Sequence, residues 1–210
     1  MRELYREASE ILNSRENLGN SPLLVILVGE SGVGKSTFCE ALDCENNWYV
    51  SSNPIIEIVK SKGFPVNHDT IHACACETYV ENPKWQVPLI LESMNGKNFL
   101  LLDGPRRYEE VKALKEQYPK TLVVRITASE EERFARLQKR DGINKDDFQR
   151  ILKDESQQTD LSQILGLTDL IIQNNGIFDQ IQVKAADFKD FLKTNGKKNQ
   201  LDIFYSVPIV

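Results

Sequence analysis

The sequence predicts a doubly wound α/β domain in which helices cover both faces of a five-stranded parallel sheet. Three observations carry this expectation. Short apolar runs recur at Leu23–Val28, Trp48–Val50, Phe99–Leu102, Leu122–Ile126 and Leu170–Ile172, with helical periodicity between them. The first run is apolar at every position, as a strand covered on both faces must be, and it ends at Gly29. The third runs into Asp103, which puts a carboxylate at the C-terminal end of a buried strand, where ligands of open α/β sheets collect.

The elements follow in order. Residues 2–16 place Leu4, Ala8, Ile11 and Leu12 at helical spacing among charges, so an amphipathic N-terminal helix is expected within 1–20. The first strand leads into a helical pattern over Thr37–Leu42. The stretch 53–97 is too long for one crossover and holds Pro54, Pro65, Pro83 and Pro88 between helical pieces; it reads as a small helical insertion that binds an acceptor. After the fourth strand, Arg133, Arg136 and Arg140 share one helix face, and 136–158 reads as a short lid. A polar stretch at 194–200 precedes an apolar extension, 201–210, for which the sequence suggests no function. The strand–helix alternation shows no internal repeat, and one domain over 1–210 is expected.

Composition narrows the function. The 210 residues are 40% apolar and 27% charged, close to globular averages. No apolar run approaches the ~18–20 residues that span a bilayer, so no membrane partner is expected. The N-terminus carries charges where a signal peptide would be apolar, which points to the cytoplasm. Cys39, Cys44, Cys74 and Cys76 lack zinc or disulfide-framework spacing and read as reduced thiols. A net charge of −5 argues against a nucleic-acid surface, which needs clustered Lys and Arg; the partner should be small.

The segment Gly29-Glu30-Ser31-Gly32-Val33-Gly34-Lys35-Ser36 fits G-x-x-x-x-G-K-[ST], after a predicted strand and before a predicted helix. The chemistry needs this pattern. Glycines let successive N–H groups turn toward one anion, the helix end that includes Thr37 adds partial positive charge, and Lys35 reaches the β and γ phosphates. ATP is the expected cofactor, with Mg²⁺ on the Ser36 hydroxyl and Asp103 as its carboxylate partner. The fold expected is therefore that of a P-loop NTPase. Beside Asp103, Gly104-Pro105-Arg106-Arg107 offers two guanidiniums suited to a phosphate, and Arg136 with Arg140 would close over the transferred group, since phosphoryl transfer rests on positioning and charge stabilisation. Glu130–Glu132 could instead pair with these arginines.

Other signals are weaker. Asn144-Lys145-Asp146-Asp147 matches the guanine-reading N-K-x-D of GTPases, but no strand precedes it. His68, His72 and Cys76 fall at i, i+4 and i+8 without a clear fourth zinc ligand. Trp48, Tyr49, Tyr79 and Trp85 read as packing.

Taken together, these residues resemble the nucleoside-monophosphate-kinase-like branch of P-loop kinases over roughly 23–190. Asp103-Gly104-Pro105-Arg106-Arg107 looks like the D-G-x-P-R element of adenylate-kinase-type enzymes, with the proline displaced by one; the resemblance gives Arg106 or Arg107 to an acceptor phosphate. Arg136 to Gly142, Asp154 to Gln158 and Thr168 to Gly176 are similar to dephospho-coenzyme A kinases and their archaeal relatives. The resemblance implies a lid made by Arg136 and Arg140 and an adenine bordered by Asn175 and Gly176. Where those kinases carry an aspartate after the second strand, this chain has Ser51-Ser52-Asn53-Pro54, and Asn53 cannot serve as a base. The expected activity is phosphoryl transfer from ATP to a nucleotide-like acceptor near Asn53, either a nucleoside monophosphate or dephospho-coenzyme A. The alternatives are a nucleotide-binding ATPase or GTPase regulator, and a polynucleotide 5′-kinase, which the acidic balance disfavours.

Overall fold

Five strands, β1 (Leu23–Val28), β2 (Trp48–Val50), β3 (Phe99–Asp103), β4 (Thr121–Thr127) and β5 (Leu170–Gln173), pair in the order β2–β3–β1–β4–β5, every neighbour parallel. This computed structural model describes residue 10 and residues 21–157, 160–176 and 178–195. The expected N-terminal helix and the 201–210 extension lie outside the described residues. None of the described helices is long and apolar enough to cross a membrane.

The register follows from the pleat. Along β1, Val25 and Leu27 face a core that includes Phe38 and Phe188, while Leu24, Ile26 and Val28 face one that includes Ile90, Val111, Leu114 and Ile164. The first core lies under α1 (Lys35–Leu42) and, past β5, α9 (Phe178–Asn195). The second is covered by α4 (Val87–Met94), α5 (Tyr108–Gln117) and α8 (Leu161–Leu165). A strand with two buried faces must be apolar throughout, which is why β1 and β3 read as uninterrupted runs.

Between β2 and β3 the chain forms α2 (Asn53–Ser61), α3 (His68–Glu81) and α4. Pro54 and Pro88 sit in the first turns of α2 and α4, where a missing N–H costs nothing. Asn67 and Thr70 cap α3 reciprocally. Ile55, Val59 and Cys74 form a small core joining α2 to α3. After β4, α6 (Glu130–Asp141) and α7 (Lys145–Gln157) pack through Leu137, Phe148 and Ile151. Asn144 accepts the Asp147 amide at 2.9 Å and Asp147 accepts the Asn144 amide at 3.2 Å, so the N-K-x-D match is the start of a helix and not the end of a strand.

Candidate active site

The loop between β1 and α1 is shaped by positions where a side chain would collide. Gly29 has φ 145°, and a Cβ there would stand 2.4 Å from the Ile126 carbonyl oxygen. Gly34 has φ 96°, and its Cβ would stand 2.6 Å from Asn174 Nδ2. At Gly29 another residue would need backbone movement; at Gly34 it would strain a positive φ and displace the Asn174 side chain or the loop. Helix α1 begins at Lys35, two residues ahead of the sequence expectation.

Four side chains, from α1, α6 and the turn after β5, hold the loop's carbonyls. Lys35 Nζ donates to Gly29 O at 2.8 Å and to Glu30 O at 3.1 Å. Arg133 Nε donates to Ser31 O at 2.8 Å, Arg136 Nη1 to Gly32 O at 3.4 Å, and Asn174 Nδ2 to Val33 O at 2.8 Å. A loop with five successive carbonyls engaged in this way keeps its glycine-rich N–H groups for an anion. One N–H is already taken: Ser31 N donates to Glu155 Oε1 at 2.6 Å. Glu155 Oε2 in turn holds Arg133 Nη2 at 2.6 Å, and Oε1 lies 3.7 Å from Arg106 Nη1.

Charge is concentrated here. Burial, helped by Arg106, pulls the Lys35 pKa down to about 8 against the attraction of Asp103, Glu155 and Glu30. Asp103 is 5% exposed, and burial raises its pKa although Lys35 and Arg106 oppose this. Burial would also raise Glu155, but Arg106, the Ser31 hydrogen bond and Arg133 outweigh it and hold the carboxyl below its usual range. The Cys39 thiol, buried beside Asp103, is pushed well up and is inert as a nucleophile.

A cleft of about 890 Å³ runs from this loop to the helical insertion. Its phosphate end is lined by Ser31, Gly32, Gly34, Lys35, Ser36 and Thr37, its middle by Asp103, Arg106 and Arg107, and its far end by Ser51, Ile55, His72, Cys76, Tyr79 and Gln86. Arg136, Arg140 and Gly176 border it as well. Ser36 and Asp103 both line the cleft, and a hydroxyl and a carboxylate are the donor types that hard divalent cations take.

Asn53, Asn175, Gly29, Glu30 and Val33 stand apart from the cleft wall, while Arg136 and Arg140 border it with their guanidiniums already engaged. Asn53 opens α2 with its side chain exposed, and Ser51 and Ser52 line the cleft in its place. Asn175 Oδ1 accepts the Ser129 amide at 2.8 Å at the start of α6. Arg140 is exposed at the rim, bidentate to Asp141 at 2.8 and 2.6 Å, and Arg136 Nη2 reaches Asn174 O at 2.8 Å and Gly176 O at 3.2 Å. Gly29, Glu30 and Val33 shape the loop from behind. The His68 and His72 rings stack at 6.0 Å, with Cys76 Sγ 3.6 Å from His72 Nε2, and no group of three metal-ligating side chains occurs among the described residues.

The family profile described as an AAA domain (AAA_18) matches residues 25–161, from within β1 to the start of α8. The chain belongs to this family. No curated protein matches the sequence. Solved structures share the fold of this AAA domain at low identity. Shikimate kinase from Acinetobacter baumannii, in complex with shikimate, is 15% identical with TM-score 0.53, over 87% of this chain and 99% of its own. Shikimate kinase from Bacteroides thetaiotaomicron is 14% identical with TM-score 0.53, over 81% and 98%. TT1252 from Thermus thermophilus is 16% identical with TM-score 0.51, over 82% and 98%.

Sequence reasoning gave no role to Glu155, Asn174, Gln86 or Glu110 and read Tyr79 as packing alone. Asn174 and Glu155 meet the phosphate loop across 141 and 124 residues of chain, and no local spacing announces such contacts. The available signals were Asp154-Glu155 and Asn174-Asn175-Gly176, both within segments the resemblance quoted, which gave a role to Asn175 and Gly176 but none to Glu155 or Asn174.

Proposed function

We propose that this protein is an ATP-dependent small-molecule kinase that transfers the γ-phosphoryl group to a nucleotide-like acceptor, a nucleoside monophosphate or dephospho-coenzyme A. The observation that carries the reading is the continuity of the cleft: one cavity joins the phosphate loop to a second chamber walled by the helical insertion, with Asp103, Arg106 and Arg107 between. A nucleotide hydrolase would need room only for the nucleotide and a water beside its terminal phosphate, and the extension of the cleft to the helical insertion is the room a second substrate would use. The shared fold with shikimate kinases favours small-molecule phosphorylation in general and says nothing about this acceptor.

In this reading Lys35, the loop amides and the N-terminus of α1 hold the β and γ phosphates. Ser36 and Asp103 hold Mg²⁺, which neutralises phosphate charge when bound. Arg106 stands at the junction of the two chambers, where charge grows on the transferred group. Arg107 faces the acceptor, and α6 with α7 forms the lid that brings Arg136 and Arg140 toward the phosphates. An acceptor that is already a phosphate anion needs no base, which suits Ser51, Ser52 and Asn53 after β2. ADP release should be stimulated by one member of a panel of nucleoside monophosphates, dephospho-coenzyme A and shikimate. Slow release that is equal in every well, including the blank, would favour an acceptor-independent regulator.

A further inference from the structure

Behind the acceptor chamber lies a buried carboxylate, tied to its wall, that the transfer chemistry does not use. Glu110, on α5, is 0% exposed and does not reach the cleft. Its Oε2 accepts from the Tyr79 hydroxyl at 3.1 Å, and its Oε1 has no hydrogen-bond partner among the described residues. Tyr79 also accepts from Gln86 Nε2 at 2.7 Å, and the same amide nitrogen donates to Ser51 O at 3.0 Å. The Arg107 guanidinium carbon sits 4.8 Å above the Tyr79 ring, and Arg107 Nε is buried without a hydrogen-bond partner among the described residues. Tyr79, Gln86, Ser51 and Arg107 all line the chamber; Glu110 stands directly behind them.

A fully buried carboxylate with one unsatisfied oxygen is costly and needs a counter-charge or a proton. Arg107 is the cation at hand, and it also faces the chamber. We propose that Glu110 is a positioning residue of the acceptor chamber, holding Tyr79 and Arg107 against its wall and taking up a proton when an anionic acceptor engages Arg107. This rests on the kinase reading above for what the chamber holds.

The groups facing Glu110 set the sign. Burial and, less, Asp160 at the start of α8 favour its neutral form; Tyr79 from α3, the Gln86 backbone N–H before α4 and Arg107 favour the ionised one, and Tyr49 from β2, raised first by burial, is pushed further up by it in return. Burial dominates, and the carboxyl rises to about 7. An anion at Arg107 screens the one full positive charge in this set and adds a negative one. Glu110 then ionises less readily, and the proton it binds comes from solvent. By linkage, anion binding at the chamber weakens as pH rises through 7.

Sulfate is a suitable probe because it stays a dianion between about pH 5.5 and 8.5, whereas a phosphate would titrate. With ADP·Mg²⁺ filling the phosphate loop, carboxyl ¹³C NMR of glutamate-labelled protein should show one resonance, absent from Glu110→Gln, that titrates near 7 and moves upward with sulfate. Each unit of displacement corresponds to about a tenfold loss of sulfate affinity between the acidic and basic limits. That loss should vanish in Glu110→Gln, and the displacement should vanish in Arg107→Ala. If Glu110→Gln does not fold, Tyr79→Phe serves instead, since losing the hydroxyl should move the same resonance further up. A resonance in the ordinary carboxylate range, one indifferent to sulfate, or an unchanged pH dependence in Glu110→Gln would overturn the proposal. No turnover is needed: a silent Glu110 in an active kinase contradicts this proposal alone, and a responsive Glu110 in an inactive protein contradicts the kinase reading alone.

Discussion

Glu155 accepts the Ser31 amide at 2.6 Å, so a carboxylate from α7 grips the phosphate loop at one of its own N–H groups. The same carboxylate binds Arg133, which is 6% exposed at its side chain, and approaches Arg106. Through one residue the helix expected to act as a lid is tied to the loop and to an arginine of the acceptor boundary.

Removing that carboxylate strands a buried guanidinium. Glu155→Ala should therefore lower stability by about 2–3 kcal/mol, and Glu155→Gln by less because an amide oxygen can still accept from Ser31. Urea unfolding checks both. Because the folded-state pKa of Glu155 is lowered, its contribution is fully present above the unfolded value of 4.5 and is lost as pH falls below it. The acid branch of the stability curve should flatten in Glu155→Gln.

Glu110 carries the opposite sign. Its folded-state pKa is raised from 4.5 to about 7, so its contribution is present below 4.5 and lost as pH climbs through 7. On the order of 3 kcal/mol is at stake. The stability difference between wild type and Glu110→Gln, followed by thermal denaturation from pH 4.5 to 8, should move in favour of the variant as pH rises.

Gly34→Ala places a Cβ 2.6 Å from Asn174 Nδ2 at a φ of 96°. The conformational cost is about 1–2 kcal/mol, and relieving it must shift the loop or break the Asn174 contact to Val33. ADP affinity, measured by calorimetry, should fall at least about tenfold, in line with the loss of preorganised donors.

Lys35 loses its proton near pH 8 in the nucleotide-free protein, below the usual 10.5 for lysine. A bound polyphosphate favours the ammonium. ATP affinity should hold steady below pH 8 and weaken as pH rises from 8 toward 10.5, a decline absent from Lys35→Arg.

The inner strands β1, β3 and β4 were legible because burial on both faces makes them read as apolar runs, whereas the edge strands β2 and β5 keep exposed or half-buried positions and were read from shorter runs; all five expected strands form, β1 and β2 as expected, β3 and β5 one residue longer at one end and β4 one residue longer at each end. The phosphate loop was legible because its glycines answer a local steric demand. The surroundings of the loop were not. Asn174, Arg133 and Glu155 reach it from elements far along the chain, and their types alone also suit a solvated helix face or turn. Asn53 was chosen by analogy of position, but the chain enters α2 there and turns that side chain outward. Tyr79 read as packing and does pack, with 5% exposure, yet its hydroxyl also ties the chamber wall to a buried carboxylate that no periodicity distinguished from a surface glutamate.

The most direct test of the kinase reading follows the label from γ-³²P ATP·Mg²⁺ in the presence of nucleoside monophosphates or dephospho-coenzyme A, with Lys35→Ala as the control. Label should appear on one organic acceptor and fall by about 10²-fold or more in the variant, while the variant keeps its circular dichroism spectrum. Label released only as inorganic phosphate at a rate no acceptor changes, or transfer undiminished in Lys35→Ala, would contradict it.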